Sequence, residues 1–184
     1  MRRGIAVAAL AGLFTVICAG CSAVPANPRA VLEQKASSID TAAQDLLDLL
    51  RAAGLSTTSA RGVIDTCQSE PAPGVSYRAG IAVRLGDDLV TGFGSLVKQL
   101  EETGWEETDA YRDVELDPDK PAGRYERGDI TLDIKTGGFK MGETPYGADE
   151  MDLGITIKNA CVRIPDGKSF LDYRDLEKDI QPRS

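Results

Sequence analysis

Histidine is absent from the 184-residue chain. Its absence removes imidazole-based catalytic triads and imidazole-ligated metal sites. Aromatic residues make up only 5%. Cationic side chains are outnumbered, 21 Lys and Arg against 29 Asp and Glu, for a formal charge of −8. That balance excludes the usual nucleic-acid binder, which presents a basic surface to the phosphates. There is no Gly-x-Ser-x-Gly nucleophile turn, no phosphate loop and no internal repeat. What remains is 42% apolar and 27% charged residues. This is enough for the core of one domain and unlike a collagenous, coiled-coil or wholly disordered chain.

Charge is also missing from residues 4–20, which follow the basic start Met1-Arg2-Arg3. A basic end, an apolar middle and small residues at its close form the pattern of a secretory signal. The run is short for a permanent span, which needs ~20 apolar residues. It closes on Cys18-Ala19-Gly20-Cys21. Small residues directly before a cysteine resemble the bacterial lipobox, whose family usually has Leu where Cys18 stands. The resemblance implies a diacylglyceryl group on the Cys21 thiol, cleavage just before it, and acylation of the new amino end. The alternative is an ordinary secretory signal with Cys21 unmodified. Two or three acyl chains anchor a protein durably, at ~0.8 kcal/mol per buried methylene. The resemblance therefore implies a chain anchored to the membrane and not passing through it.

The division expected is a lipoprotein signal at 1–20, a lipidated end and short tether at 21–27, and one domain at 28–184. Losing Arg2 and Arg3 leaves 19 basic against 29 acidic residues, a balance of −10. Anionic headgroups repel such a body mildly, so it is expected to stand off the membrane. Of four cysteines, Cys18 would leave with the signal and Cys21 would carry lipid. Cys67 and Cys161 remain, with one connectivity, and an exported compartment favours their disulfide.

Asn27-Pro28 offers a helix cap followed by a first-turn proline. Leu32, Ile39, Ala43, Leu46 and Leu50 recur at helical steps, and Gly54 ends the run. Residues 56–75 are polar, with a short strand expected at 62–67. Tyr77, Ala79, Ile81, Val83 and Leu85 alternate with Arg78, Gly80 and Arg84, as in a strand with one buried face. Asp87 or Asp88 caps a second helix carrying Leu89, Phe93, Leu96, Val97 and Leu100 and ending at Gly104. Its Gly92 and Gly94 suggest a close approach to the sheet. Three strand-like segments follow, one at 105–116, one around Tyr125, Ile130, Leu132 and Ile134, and one around Leu153, Ile155, Ile157 and Val162. A short C-terminal helix is expected at 170–180. The order predicts an α+β domain with an antiparallel sheet of about four to five strands, two amphipathic helices on one face, and one disulfide from the last strand to the segment after the first helix.

Few constellations carry chemistry. Residues 101–120 hold nine acids, Glu101, Glu102, Glu106, Glu107, Asp109, Asp113, Glu115, Asp117 and Asp119. They fail as a calcium loop because Pro121 stands at the third ligand position and Gly128 where the bidentate Glu belongs. A solvated face is the simpler reading. Gly92-Phe93-Gly94 is followed by Val97 where a dinucleotide fingerprint needs glycine. Arg127-Gly128-Asp129 matches the integrin-ligand tripeptide but reads as turn chemistry. Trp105 reads as a core anchor.

The part after residue 21 resembles the small uncharacterised lipoproteins of actinobacteria, in a helix, a cysteine after it, a Gly104-Trp105 strand start and a last strand ending in cysteine. The resemblance implies an envelope protein with no catalytic residues to carry over and no cofactor. The expected role is a non-catalytic, membrane-anchored extracytoplasmic lipoprotein that binds an envelope partner. The alternative is a carrier of a lipid or other apolar ligand between sheet and helices. A hydrolase using two convergent carboxylates is a third reading.

Overall fold

Asn27 does begin a helix. Its side chain accepts from the Ala30 N–H at 3.1 Å, and α1 runs Pro28–Ala52. In the computed structural model, residues 24–183 are described, apart from 71, 86–87, 112–116 and 142–143. Gly54, at φ +73°, closes α1 by taking the left-handed conformation that costs a Cβ-bearing residue most. The predicted stripe is the buried one: Leu32, Ile39, Ala43, Leu46 and Leu50 are at most 1% exposed. At ~1.5–3 kcal/mol for each large side chain, that stripe contributes on the order of 10 kcal/mol.

The strands are β1 (Ser56–Gln68), β2 (Gly74–Arg84), β3 (Glu106–Glu107), β4 (Ala122–Arg127), β5 (Ile130–Thr136), β6 (Phe139–Met141), β7 (Thr144–Tyr146), β8 (Glu150–Ile157), β9 (Val162–Arg163) and β10 (Lys178–Asp179). The second helix, α2, is Leu89–Glu102. Eight strands form one antiparallel sheet in the order β10-β1-β2-β8-β5-β4-β3, with β9 also on β2, while β6 and β7 pair apart as a hairpin.

The α+β class and the antiparallel pairing agree with the sequence reading, and the sheet is larger than the four to five strands expected. Two segments read as single strands are each divided, and one strand is new. The segment around Tyr125, Ile130, Leu132 and Ile134 is a hairpin, β4 and β5, and the one from Leu153 to Val162 is β8 and β9 with a turn between them. β10 is two residues long and has no periodicity to detect. The short strand expected at 62–67 lies inside β1, which is longer: only Gly62 and Ile64 of its thirteen residues are buried, and an eleven-pair register to β2 holds it. Within 105–116, strand covers only Glu106–Glu107, followed by a 3-10 turn at Asp109–Tyr111. The C-terminal segment is a 3-10 helix, Phe170–Leu176, and then β10 in place of a helix to residue 180.

Register puts the apolar residues on one face. Ala79, Ile155, Leu132 and Tyr125 align across β2, β8, β5 and β4, and Ile81, Leu153 and Ile134 align one row along. All seven are at most 2% exposed and belong to one core cluster with α1 and the Leu96 and Leu100 face of α2. Asp88 caps α2 by accepting from the Thr91 N–H at 2.9 Å. The approach inferred from glycine holds at one site. A Cβ on Gly92 would come 2.6 Å from the Leu85 side chain, whereas Gly94 faces open space. The sheet edges are short or covered. β3 ends one side with two exposed glutamates, and on the other Glu177 accepts from the Ile64 N–H at 3.4 Å. Both arrangements discourage edge pairing with another chain.

Gly62 and Gly80 lie on the same two strands in opposite circumstances. A Cβ on Gly62 would overlap the Tyr77 hydroxyl and ring, and one on Gly80 would meet nothing within 4 Å. Gly62→Ala is therefore expected to lower stability by about 2 kcal/mol or more through overpacking, and Gly80→Ala to change it by less than about 0.5 kcal/mol. Urea denaturation of both variants checks this, and equal effects would contradict it.

Candidate functional site

The two cysteines that the sequence left for a bond are bonded. Cys67 and Cys161 form a disulfide with Cα atoms 5.7 Å apart, closing 94 residues of separation. Cys161 lies in the turn between β8 and β9 and not on the last strand. The bond is packed against Gly74, where a Cβ would stand 2.8 Å from the Cys161 sulfur. Cys21, the expected lipidation site, lies outside the described residues, as does Cys18.

A polar cluster sits under α1 that the sequence reading did not find. Asp40 is 8% exposed on the buried side of the helix. Tyr77 donates its hydroxyl to Asp40 Oδ1 at 2.7 Å. Lys178 Nζ stands 2.6 Å from Asp40 Oδ2, an ion pair outside hydrogen-bond alignment. Glu177 Oε2 is 3.7 Å from Arg61 and 3.5 Å from Arg174. The members are far apart in sequence and meet where α1, β1, β2 and the C-terminal segment converge. An acid between Ala36 and Ala43 on the apolar stripe was the available signal, since a carboxylate there needs a partner.

The chemistry of the cluster is restrained. Burial, then the hydrogen bond and charge of Asp40, push the Tyr77 phenol far above its usual range. It holds its proton at neutral pH and cannot act there as a base or nucleophile. The neighbouring pocket, about 370 Å³, is bordered by Glu33, Asp40, Thr41, Gln44 and Lys178. Such a cluster clamps the C-terminal segment onto α1.

The remaining candidates separate. All seven described acids of 101–120 are exposed, and Asp113 and Glu115 lie outside the described residues. Asp117 accepts from the Asp119 N–H at 3.0 Å, a turn-forming use of its carboxylate. No group of three or more metal-ligating side chains occurs among the described residues. Gly92-Phe93-Gly94 lies inside α2, away from any strand-to-helix turn. Arg127 is occupied: its guanidinium lies 4.7 Å over the Trp105 ring and 3.1 Å from Asp45, which Arg183 also reaches at 2.7 Å. Gly128, at φ +62°, makes the two-residue β4–β5 turn with Asp129. Trp105 is 3% exposed, as a core anchor should be.

The helix-free sheet face is open. Gly80 and Gly154 are cross-strand neighbours, and with Ala82 they floor a trough of about 400 Å³ flanked by Arg61, Arg78 and Asp152. By contrast, the layer between helices and sheet is filled by side chains such as Leu32, Leu46, Leu96, Tyr77 and Met151, each at most 1% exposed. No described helix is long and apolar enough to cross a membrane. No protein-family model matches the chain, and no curated protein or solved structure matches it either.

Tyr77 and Tyr125 give the domain an alkaline limit. Burial, then the charges of Glu107 and Glu101, push Tyr125 up to about 12. Above the ordinary tyrosine value of 10.0, the unfolded chain loses protons that the folded one keeps. Stability is then fully present below that pH and falls above it, by up to about 1.4 kcal/mol per pH unit for each group. Urea midpoints should be level from pH 8 to 9.5 and decline from pH 10 to 11.5. Tyr125→Phe should flatten the decline by about half, and an unchanged slope would refute the assignment.

Proposed function

We propose that the chain is a membrane-anchored extracytoplasmic lipoprotein of the bacterial envelope, lipidated at Cys21 and cleaved before it, whose domain is non-catalytic and binds an envelope partner. The observation that carries this reading is the Cys67–Cys161 disulfide. Such bonds persist in oxidising, exported compartments and are rare in the cytosol. It supports the same destination as the apolar run at 4–20 and the Ala19-Gly20-Cys21 pattern. The short interval from Cys21 to the cap of α1 at Asn27 suits a tether. By motif the chain resembles the small uncharacterised lipoproteins of actinobacteria.

The binding half of the reading is supported by the helix-free sheet face. Its trough is paved with small residues and ringed by charges of both signs, which suits a polar protein surface. The carrier reading needs a cavity of several hundred Å³ between helices and sheet, where side chains fill the space. The hydrolase reading needs two carboxylates converging in a cleft, and the described acids of 101–120 are spread over the surface.

Separate experiments test the two halves. Cys21→Ser should shift the protein from membrane to soluble fractions, and the wild-type N-terminal peptide should carry acyl groups by mass. The unreduced, unfolded wild-type domain should also yield no alkylated Cys67 or Cys161. Continued membrane retention of Cys21→Ser would sink the anchor. A photo-crosslinking residue at Ala82 should trap a discrete partner in intact cells, while one at Lys98 on α2 should not. Equal labelling from both positions would remove the sheet face as the binding surface.

A further inference from the structure

The poles of the domain can be told apart. β2 runs from Gly74 to Arg84, about 33 Å at 3.3 Å per residue. At the Gly74 end lie the disulfide, β9 and the hydrogen bond from Ile164 N–H to Pro73 O at 3.0 Å. The start of α1 lies there too, because Lys35 donates to Asn159 O at 2.8 Å, two residues before Cys161. The other end holds the Ser56–Arg84 pairing that follows α1 and the start of α2.

Among the described residues, four large apolar side chains are exposed: Val24, Val90, Phe170 at 37% and Leu171 at 61%. Val90 lies in the first turn of α2 and belongs to the far pole. The other three belong to the pole where the tether enters. Val24 is three residues ahead of the α1 cap. Phe170 and Leu171 lie in a segment pinned to that pole at both ends, through Ile164 to Pro73 and through Asp175 to Arg29 at the start of α1. Beyond Asp175 the chain follows α1 upward, Lys178 to Asp40 and then Arg183 to Asp45.

We propose that the tethered pole is a membrane-contact surface, with Phe170 and Leu171 seated in the headgroup layer of a phospholipid bilayer. The proposal rests on the lipid-anchor reading. Its occupant follows from the chain that precedes the domain. Six residue steps separate Cys21 from Asn27, about 20 Å when fully extended. A lipid on Cys21 therefore confines this pole to the vicinity of the headgroups and presents the far pole to the periplasmic side or cell wall. Two apolar side chains would bind a bilayer feebly by themselves. The tether makes their contact intramolecular and raises their effective concentration at the surface to about the millimolar range. The net acidity of the body opposes close approach in general. Apolar contact at one pole overcomes it locally and is insensitive to salt.

The test uses the full-length lipidated protein in phosphatidylcholine–phosphatidylglycerol vesicles. Leu171→Cys and Val90→Cys each supply one thiol for an environment-sensitive fluorophore, since Cys67 and Cys161 are bonded and Cys21 is acylated. At 171, spin-labelled lipid should quench several-fold more strongly than at 90, and iodide several-fold less. The contrast should persist at 0.5 M salt, and adding Phe170→Ser should reduce it. Co-flotation with vesicles and equal iodide access at both positions would overturn the pole contact while leaving the anchor standing. Failure to float, with no acyl groups by mass, would overturn the anchor and the contact together.

Discussion

The fold depends on drying one face of a twisted antiparallel sheet. β-strand geometry sends alternate side chains to opposite faces, so the eleven residues of β2 present Val75, Tyr77, Ala79, Ile81 and Val83 to one side and Arg78 and Arg84 to the other. Pairing with β8, and through it β5 and β4, extends that apolar surface across the molecule. Left wet it would be an aggregation surface. α1, with its stripe from Leu32 to Leu50, and the inner side of α2 cover it. A one-residue slip of β8 on β2 would turn Leu153 and Ile155 outward, so burial enforces the register.

Polar interactions then fix how the ends attach. The Asp40–Tyr77–Lys178 cluster lies between the helix and the sheet and binds the C-terminal segment to both. Removing one partner would strand a desolvated group, a larger loss than the bond's net contribution. The close passage of Tyr77 over Gly62 makes β1 part of the same arrangement, and Glu177 closes its edge. At the Gly74 end of β2 the disulfide joins the end of β1 to the turn before β9. It restrains a loop of the unfolded chain that contains most of the sheet.

These attachments divide the molecule functionally. One pole gathers the start of α1, the disulfide and the exposed Phe170–Leu171 pair. The other gathers the β2–α2 junction. The helix-free sheet face lies along the axis between them. In the proposed reading, the first end meets the membrane and the open face meets a partner. Clamped ends suit that arrangement, because a tethered domain transmits its anchor's orientation only if its terminal segments do not fray.

The helices were legible because their signals are local: a cap, a stripe of period 3.6 and a terminating glycine all lie within about thirty residues. The alternation of β2 was legible for the same reason, and the single pair of cysteines after residue 21 by count alone. Only the middle of β1 was, because a strand buried at two positions needs its neighbour's register to show its full length; the division of 125–134 into β4 and β5 and of 153–162 into β8 and β9 was not, and β10 is too short to have a period. The 170–180 segment carries apolar residues at helical spacing, yet Pro182 beyond it, the capping of Ser169 by Asp172 and the pull of Asp40 on Lys178 make it a 3-10 turn and an edge strand. Asp40 in an apolar stripe was visible, but its partners stand 37 and 138 residues away. The sequence alone determined the class of fold, the covering helices and the pair of cysteines free to bond, since these follow from periodicity and composition. Only the tertiary structure decided the strand order, the buried cluster and the pole that holds Phe170, because each is made by residues that meet in space after the chain has closed on itself.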